Sequence, residues 1–282
     1  MGIDDVVWAD EVDVLVGSAD LEAPLDDAIA EWLMRERVQM VADVGCGAGG
    51  MTVALAARLD DGRVDAIDKE PAALDAAWRR VSDAKLGDAV RLLIGDVDRL
   101  ALAEGAYDLV WAGSVVHHLP DQRAAIERLA RLLVPGGRLA LGEGGLELRC
   151  LPYDLGIGRP GLEARLAAAR AACFDALRSG LPGGAHAPVG WNVLLTEAGL
   201  VSPAKRSFLF EAPPPLRGPR SAYLLAHFRA LCRRPGLWSR LEPDDTETIR
   251  RLLDPGDDAF LAHRHDTFLL TARSVHVARR PP

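Results

Sequence analysis

Short apolar runs alternate with longer stretches of helical periodicity between residues 38 and 145. Runs rich in Val, Leu and Ile predict strands buried on both faces of a parallel sheet, at 38–44, 63–67, 89–94, 107–112 and 138–142. The periodicity between them predicts helices at 51–59, 71–82 and 122–133. The breaker Pro135-Gly136-Gly137 separates the last helix from the fifth strand. This alternation predicts an α/β fold with a doubly wound, mostly parallel sheet.

The flanking residues are mainly helical in pattern. Residues 1–37 place Leu25, Ile29 and Leu33 on one apolar face. Further helices are predicted at 161–178, 191–198, 221–233 and 246–253, with strands at 206–211 and 267–278. We therefore expect four segments: an N-terminal helical lid 1–37, a ligand-binding core 38–145, a helical insertion 146–190, and a C-terminal part 191–282 with a helical insert at 213–262.

Composition narrows the class of protein. The chain has 282 residues, of which 49% are hydrophobic, so it can bury a large core. A net charge of −8 argues against a nucleic-acid partner, because binding to phosphates requires a positively charged surface. No apolar run approaches membrane-spanning length, and the four cysteines lack metal-binding spacing. We expect a cytoplasmic protein with no metal site, no nucleic-acid partner and no membrane segment.

A glycine-rich turn follows the first predicted strand, in Val41-Ala-Asp-Val-Gly-Cys-Gly-Ala-Gly-Gly50. Its glycines let the backbone turn sharply and let a ligand lie against it. Gly45, Gly47 and Gly50 also fit the G-x-G-x-x-G pattern of dinucleotide-binding folds. A nucleotide-dependent oxidoreductase is therefore a rival hypothesis at this point.

Three carboxylates fall at the ends of successive predicted strands, where open α/β sheets bind ligands. Asp43 precedes the glycine turn, and Asp68 ends the second strand at the spacing expected for a ribose-binding acid. Asp96 follows the third strand, where it would meet the amine of a purine while Val97 packs on the base. Together they predict a ligand that contains adenosine.

These residues resemble the class I S-adenosylmethionine-dependent methyltransferases. The matching blocks are the turn from Val41 to Gly49, then 66–70, 95–97, 107–121 and 133–139. The fourth block ends in His117-His-Leu-Pro-Asp121. The resemblance implies a Rossmann-like sheet of seven strands with the last one antiparallel, and S-adenosylmethionine as cofactor.

The resemblance also assigns roles around that cofactor. Asp68 would bind the ribose, Asp96 the adenine amine, and the glycine turn the methionine portion. The cofactor-binding residues expected on this basis are Asp43, Gly45, Cys46, Gly47, Asp68, Lys69, Asp96, Val97, Ala112 and Ser114. The acid at Asp96, and a cofactor without a pyrophosphate, favour this reading over the oxidoreductase.

Three residues are candidates for catalysis. His117 and His118 follow the fourth strand, and Glu143 ends the fifth. In some O-methyltransferases with a similar stretch a histidine is the general base, and imidazole is suited to that role near neutral pH. The alternative is that the stretch is a structural turn and that Glu143 only caps a turn or orients a histidine. Sequence leaves both readings open.

The methyl acceptor is expected to be a small molecule. Tyr153, His186 and Trp191 are the substrate-binding candidates, and helical lids of this size favour an enclosed metabolite. O-methylation is preferred because a candidate base is present, with N- or C-methylation or peptide modification as alternatives. A catalytically inactive cofactor-binding protein is the other alternative, and an apolar stripe on 221–233 predicts either a lid or a homodimer contact.

Overall fold

The computed structural model describes residues 8–97, 102–181, 183 and 187–282, without the side chains of 8–11 and 13. Helices alternate with strands along most of these residues. The helices are α1 (Trp8–Leu21), α2 (Ala23–Leu33), α3 (Gly50–Ala56), α4 (Pro71–Asp83), α5 (Gln122–Arg131), α6 (Leu162–Ser179), α7 (Trp191–Glu197), α8 (Pro219–Arg233) and α9 (Pro243–Leu253). The strands are β1 (Met40–Val44), β2 (Arg63–Asp68), β3 (Val90–Ile94), β4 (Tyr107–Gly113), β5 (Leu133–Arg149), β6 (Val201–Ala212) and β7 (Leu269–Arg279).

The described strands form one seven-stranded sheet in the order β3-β2-β1-β4-β5-β7-β6. The first five strands pair in parallel. β7 runs antiparallel to β5. Arg280 N–H donates to the Gly137 carbonyl and Phe268 N–H donates to the Cys150 carbonyl, so residue numbers fall along one strand as they rise along the other. The structure thus confirms the predicted α/β fold and its mixed sheet.

The fifth strand differs from its prediction. β5 begins at Leu133 and includes the Pro135-Gly136-Gly137 sequence that was expected to break the chain. It also continues to Arg149, so Glu143 lies within the strand and does not end it. Gly136 adopts a φ of 81°, which glycine accepts at little cost, and its N–H donates to Arg280 at 3.0 Å. A register shift opposite Tyr107 accommodates the irregularity. The breaker is therefore absorbed as a local distortion of the strand.

The described residues fall into two compact units. The core unit comprises the described part of 8–146 together with 187–209 and 272–282. Its centre is the sheet, where Val110, Leu139 and Leu141 pack with Leu129 of α5 and Leu195 of α7. Asp121 caps α5 by accepting a hydrogen bond from Ala124 N–H at 3.0 Å, so the end of the His-His-Leu-Pro-Asp stretch has a structural role.

The second unit comprises 147–181 and 210–271. Arg165 on α6 forms a two-pronged ion pair with Asp245 of α9, at 2.8 Å on each prong, and Arg159 adds a third contact at 3.2 Å. The hydrogen bonds from Arg165 lower the pKa of Asp245. No helix among the described residues is long and apolar enough to cross a membrane. The segment boundaries and the cytoplasmic location stay predictions.

Candidate active site

The glycine turn is fastened to the end of the neighbouring strand. The backbone N–H groups of Gly45 and Cys46 both donate to the carbonyl of Ile67, at 2.7 and 3.0 Å. β1 and β2 are parallel neighbours, so the turn after one strand lies beside the carboxyl end of the other. These backbone hydrogen bonds hold the turn beside the end of β2 independently of its side chains.

Gly45 and Gly47 of this turn face different surroundings. A Cβ atom on Gly45 would lie 2.2 Å from Cγ2 of Val115, so this glycine packs against the segment that follows β4. A Cβ atom on Gly47 would meet no atom within 4 Å. Both have positive φ, of 73° and 53°. The turn thus has one packed face and one open face on which a ligand can lie against backbone.

Asp68 joins the turn to the end of β2. One carboxylate oxygen accepts from Gly47 N–H at 2.8 Å and the other from Glu70 N–H at 3.0 Å. The side chain is only partly buried. A carboxylate offers about four acceptor positions, so Asp68 keeps capacity for hydroxyl donors of a ligand while it orders the turn.

Asp43 lies near the end of β1, just before the glycine turn, and is 1% exposed. Its carboxylate accepts a hydrogen bond from the Thr52 hydroxyl at 2.5 Å. Burial, with a smaller contribution from the negative charges of Asp26 and Asp68, raises the pKa of Asp43 to about 7, against the opposing effect of the Thr52 hydrogen bond. The site therefore contains a carboxyl group that changes charge near neutral pH.

Cys46 is buried in the turn, and its thiol contacts the carbonyl of Gly47 at 3.8 Å. Burial raises the pKa of this thiol well above its usual value, and the nearby Asp43 and Asp68 raise it further. A thiol of this kind is a poor nucleophile because the thiolate is the reactive form. Cys46 serves packing in this arrangement.

The other expected cofactor contacts lie at the carboxyl ends of the same strands. Gly95 N–H donates to the Asp68 carbonyl at 3.0 Å, which places the start of the loop containing Asp96 beside the end of β2. Val97 is buried, whereas Asp96 is exposed. Ala112 is buried in β4 next to β1, and Lys69 and Ser114 are exposed. These contacts stay predictions.

Glu143 and His117 form a closely bonded pair. Nδ1 of His117 lies 2.6 Å from Oε2 of Glu143. The other oxygen, Oε1, accepts from the backbone N–H groups of Val115 and Val116, at 3.1 and 2.8 Å. Glu143 is 1% exposed, whereas the His117 ring is about a third exposed. The carboxylate is thus bonded on both oxygens, and it fixes the orientation of the imidazole.

The pair is connected to the glycine turn through Val115. Its side chain packs on Gly45 and its N–H donates to Glu143. The ring of His118 lies 4.0 Å from that of His117, with 40° between their planes. The structure therefore brings together Asp43, Asp68, the turn, both histidines and Glu143 within the core unit.

The structure describes two of the three substrate candidates. Trp191 begins α7 and packs, half-buried, against the core of the sheet. Tyr153 belongs to the second unit, where its side chain is 79% exposed. His186 lies outside the described residues. Their role in acceptor binding stays a prediction.

Sequence reasoning missed the residues that support the site. Thr52, Asp26 and Arg80 carry no motif. Thr52 bonds Asp43, the charge of Asp26 acts on Asp43, and Arg80 bonds the Ala48 carbonyl from helix α4. Only Thr52 had a weak signal, because it lies on the first turn of the helix that follows the glycines. Within the described residues no group of three or more His, Cys, Asp or Glu side chains could hold a metal ion.

Comparison with known proteins identifies the core sequence. Residues 42–141 match the family model described as "Methyltransferase domain", about a third of the chain. The 27-O-demethylrifamycin SV methyltransferase of Amycolatopsis mediterranei is 34% identical over 139 residues, 48% of each chain. The trans-aconitate 2-methyltransferase of Methylobacterium radiotolerans is 37% identical over 116 residues, 40% of this chain and 42% of that one. The chain thus spans less than half the length of these two relatives.

Solved structures agree with the fold. A putative methyltransferase from Bacillus halodurans superimposes with a TM-score of 0.54 over 92% of this chain and 100% of its own. The two sequences are 17% identical. At that level of identity the likeness concerns the fold alone.

Proposed function

Residues 42–141 form a class I S-adenosylmethionine-dependent methyltransferase domain, and from this premise we propose that the chain methylates a hydroxyl group of a small molecule, with His117 as general base. The observation that carries the proposal is the 2.6 Å contact between His117 Nδ1 and the buried Glu143. A base held in one orientation beside the cofactor turn serves proton removal from an acceptor.

The residues of the turn fit the cofactor. The open face at Gly47 leaves room for a ligand against backbone, and Asp68 retains acceptor capacity for ribose hydroxyls. Asp43, when ionised, favours a cation beside it. We assign Asp96 to the adenine amine, with Val97 packed on the base, and Lys69, Ala112 and Ser114 to the rim of the same site.

When bound, S-adenosylmethionine supplies an electrophilic methyl group on a sulfonium. The protein's share of the chemistry is alignment, water exclusion and removal of one proton. Oε1 of Glu143 accepts two backbone hydrogen bonds, and with Oε2 accepting as well, Nδ1 of His117 carries the hydrogen. That tautomer leaves the lone pair on Nε2, which would take the proton of the acceptor hydroxyl. Glu143 then stabilises the imidazolium.

The nature of the relatives supports a small acceptor. Both curated relatives are named for small molecules, and the rifamycin enzyme is named for an O-demethylated acceptor. The matched region covers less than half of each relative, so the support is strongest for the chemistry of the domain.

The decisive experiment uses S-adenosylmethionine labelled with ¹³C at the transferred methyl group. The purified protein is incubated with fractionated small-molecule extracts, and products are examined by NMR, because O-, N- and C-methyl carbons have distinct chemical shifts. We expect a labelled O-methyl product. An N-methyl or C-methyl product would overturn the choice of oxygen as the methylated atom. A protein that binds NAD(P) but does not bind S-adenosylmethionine in calorimetric titration would overturn the whole proposal.

Replacement of His117 tests the base directly. His117→Ala should lower kcat by about 10²-fold or more, because the variant lacks the proton acceptor. Calorimetric titration should give an unchanged Kd for S-adenosylmethionine. Retained turnover would show that alignment alone carries the reaction.

A further inference from the structure

Arg80 on α4 connects the glycine turn to the first helix. Its Nε donates to the Ala48 carbonyl at 3.0 Å, within the turn. Its Nη2 donates to the Val16 carbonyl at 3.2 Å, and its Nη1 pairs with Asp20 at 2.6 Å, both on α1. One guanidinium therefore bonds to the turn and to α1 at the same time.

The Ala48 carbonyl, to which Arg80 donates, lies next to the open face of the turn. Ala48 directly follows Gly47, whose open face is the one that a ligand can approach. Asp68 already holds the N–H of Gly47 at 2.8 Å. The peptide segment at 47–48 is thus fixed by Asp68 on one side and by Arg80 on the other. Ala48 is 4% exposed, so water cannot easily replace the guanidinium as a donor.

We propose that Arg80 is a positioning residue for the cofactor: it orders the 47–48 backbone and couples that order to the docking of α1. The inference rests on the proposed function, since it takes the turn to be the cofactor site. Its physical basis is preorganisation, because a turn held in its binding conformation loses less entropy when a ligand arrives.

Arg58 offers a matched control. It lies just beyond α3, and its Nη1 bonds to Asp27 of α2 at 2.9 Å and to the Ala54 carbonyl at 2.8 Å. It therefore ties an N-terminal helix to the core, as Arg80 does, but touches no residue of the turn in these contacts. Its side chain is 28% exposed, compared with 19% for Arg80.

The experiment compares Arg80→Met, Arg80→Lys and Arg58→Met. Titration calorimetry gives Kd for S-adenosylmethionine, and amide hydrogen exchange without ligand reports on residues 45–52. We expect Arg80→Met to raise Kd about tenfold and to speed exchange in the turn, because it removes a charge-assisted bond to backbone. Arg80→Lys should recover part of the affinity, and Arg58→Met should change neither quantity. For the control Arg58→Met, kcat at saturating cofactor should stay within about threefold of wild type.

Two outcomes would overturn the inference. One is an unchanged Kd in Arg80→Met, and the other is an equal loss in Arg80→Met and Arg58→Met, which would indicate helix docking alone. If wild type fails to bind S-adenosylmethionine, the proposed function fails instead, and the exchange comparison still tests the coupling. If Arg80→Met does not fold, Asp20→Asn replaces it, with a Kd increase of about threefold expected because the guanidinium loses its orienting charge.

Discussion

Asp43 and Glu143 are two carboxylates with the same burial and opposite environments. Each is 1% exposed in the core unit. Asp43 accepts one short hydrogen bond, from Thr52, and has two further carboxylates near it. Glu143 accepts two backbone hydrogen bonds and contacts an imidazole. Burial alone therefore does not tell what a buried acid does.

The difference lies in the donors that surround each group. A buried charge is tolerated when hydrogen bonds and opposite charges replace its water. Asp43 receives little of either, so its pKa rises to about 7. Glu143 has donors on both oxygens, which suits it to hold a neighbouring base. We infer that Asp43 adjusts charge at the cofactor turn and that Glu143 fixes geometry.

Glu143→Gln should have the largest effect. The amide oxygen of the variant can accept from the two backbone N–H donors, but its NH2 group then faces Nδ1 of His117. Nδ1 must accept that hydrogen bond, so Nε2 carries the hydrogen and has no lone pair for the acceptor proton. We expect kcat to fall by about 10²-fold or more, with Kd for the cofactor nearly unchanged.

The double variant sharpens this test. If Glu143 acts only through His117, Glu143→Gln combined with His117→Ala should be no slower than His117→Ala alone. Independent, multiplicative losses would contradict the assignment.

The stability of the cofactor-free protein should depend on Asp43. Its native pKa is raised from 3.8 to about 7, so the native state holds a proton that the unfolded state has released. Stability therefore falls as pH rises between those values. For this group alone we expect a loss of about 2–3 kcal/mol between pH 5 and pH 8.

Urea unfolding at both pH values measures this effect. Asp43→Asn should lessen the decline by about the 2–3 kcal/mol expected for this group, whereas Asp75→Asn, at an exposed position on α4, should leave it unchanged. Equal declines in wild type and Asp43→Asn would show that Asp43 does not titrate in this range.

Cofactor affinity should follow the same group. Below pH 7 Asp43 becomes protonated, and a neutral carboxyl no longer attracts a cationic ligand. We expect Kd for S-adenosylmethionine to rise up to about tenfold for each pH unit below 7 in wild type. Asp43→Asn should bind more weakly at pH 8 and show little pH dependence. Titration calorimetry between about pH 5.5 and 8.5 measures Kd for both proteins. The same pH dependence of Kd in wild type and Asp43→Asn would refute the role of Asp43.

Cys46→Ala should have the smallest effect. Burial raises the pKa of this thiol well above its usual value, and the nearby carboxylates of Asp43 and Asp68 raise it further. We expect kcat within about twofold of wild type. Cys46 should also react with iodoacetamide more slowly than the partly exposed Cys173 in a mass-spectrometric assay. A loss of turnover beyond tenfold would give Cys46 a catalytic role after all.

Local pattern predicted most of the architecture. The strand positions were right to within a few residues for β1 to β4, and Pro71 begins α4 as its fixed φ favours. The beginning of β5 was wrong, because pairing of Gly136 and Gly137 with Arg280 outweighs the local tendency of Pro-Gly-Gly to break a strand. Tertiary pairing overrides propensity there.

The sequence by itself determined the α/β rhythm, the glycine turn and the order of Asp43, Asp68 and Asp96 along the strand ends. These follow from periodicity and from residue types that act locally. Tertiary structure alone decided that Glu143 bonds His117, that Thr52 bonds Asp43 and that Arg80 bonds the Ala48 carbonyl. Each of these pairs joins different elements of the chain. Their contacts depend on the pairing of β4 with β5 and on the packing of helices against the sheet, which no local pattern encodes.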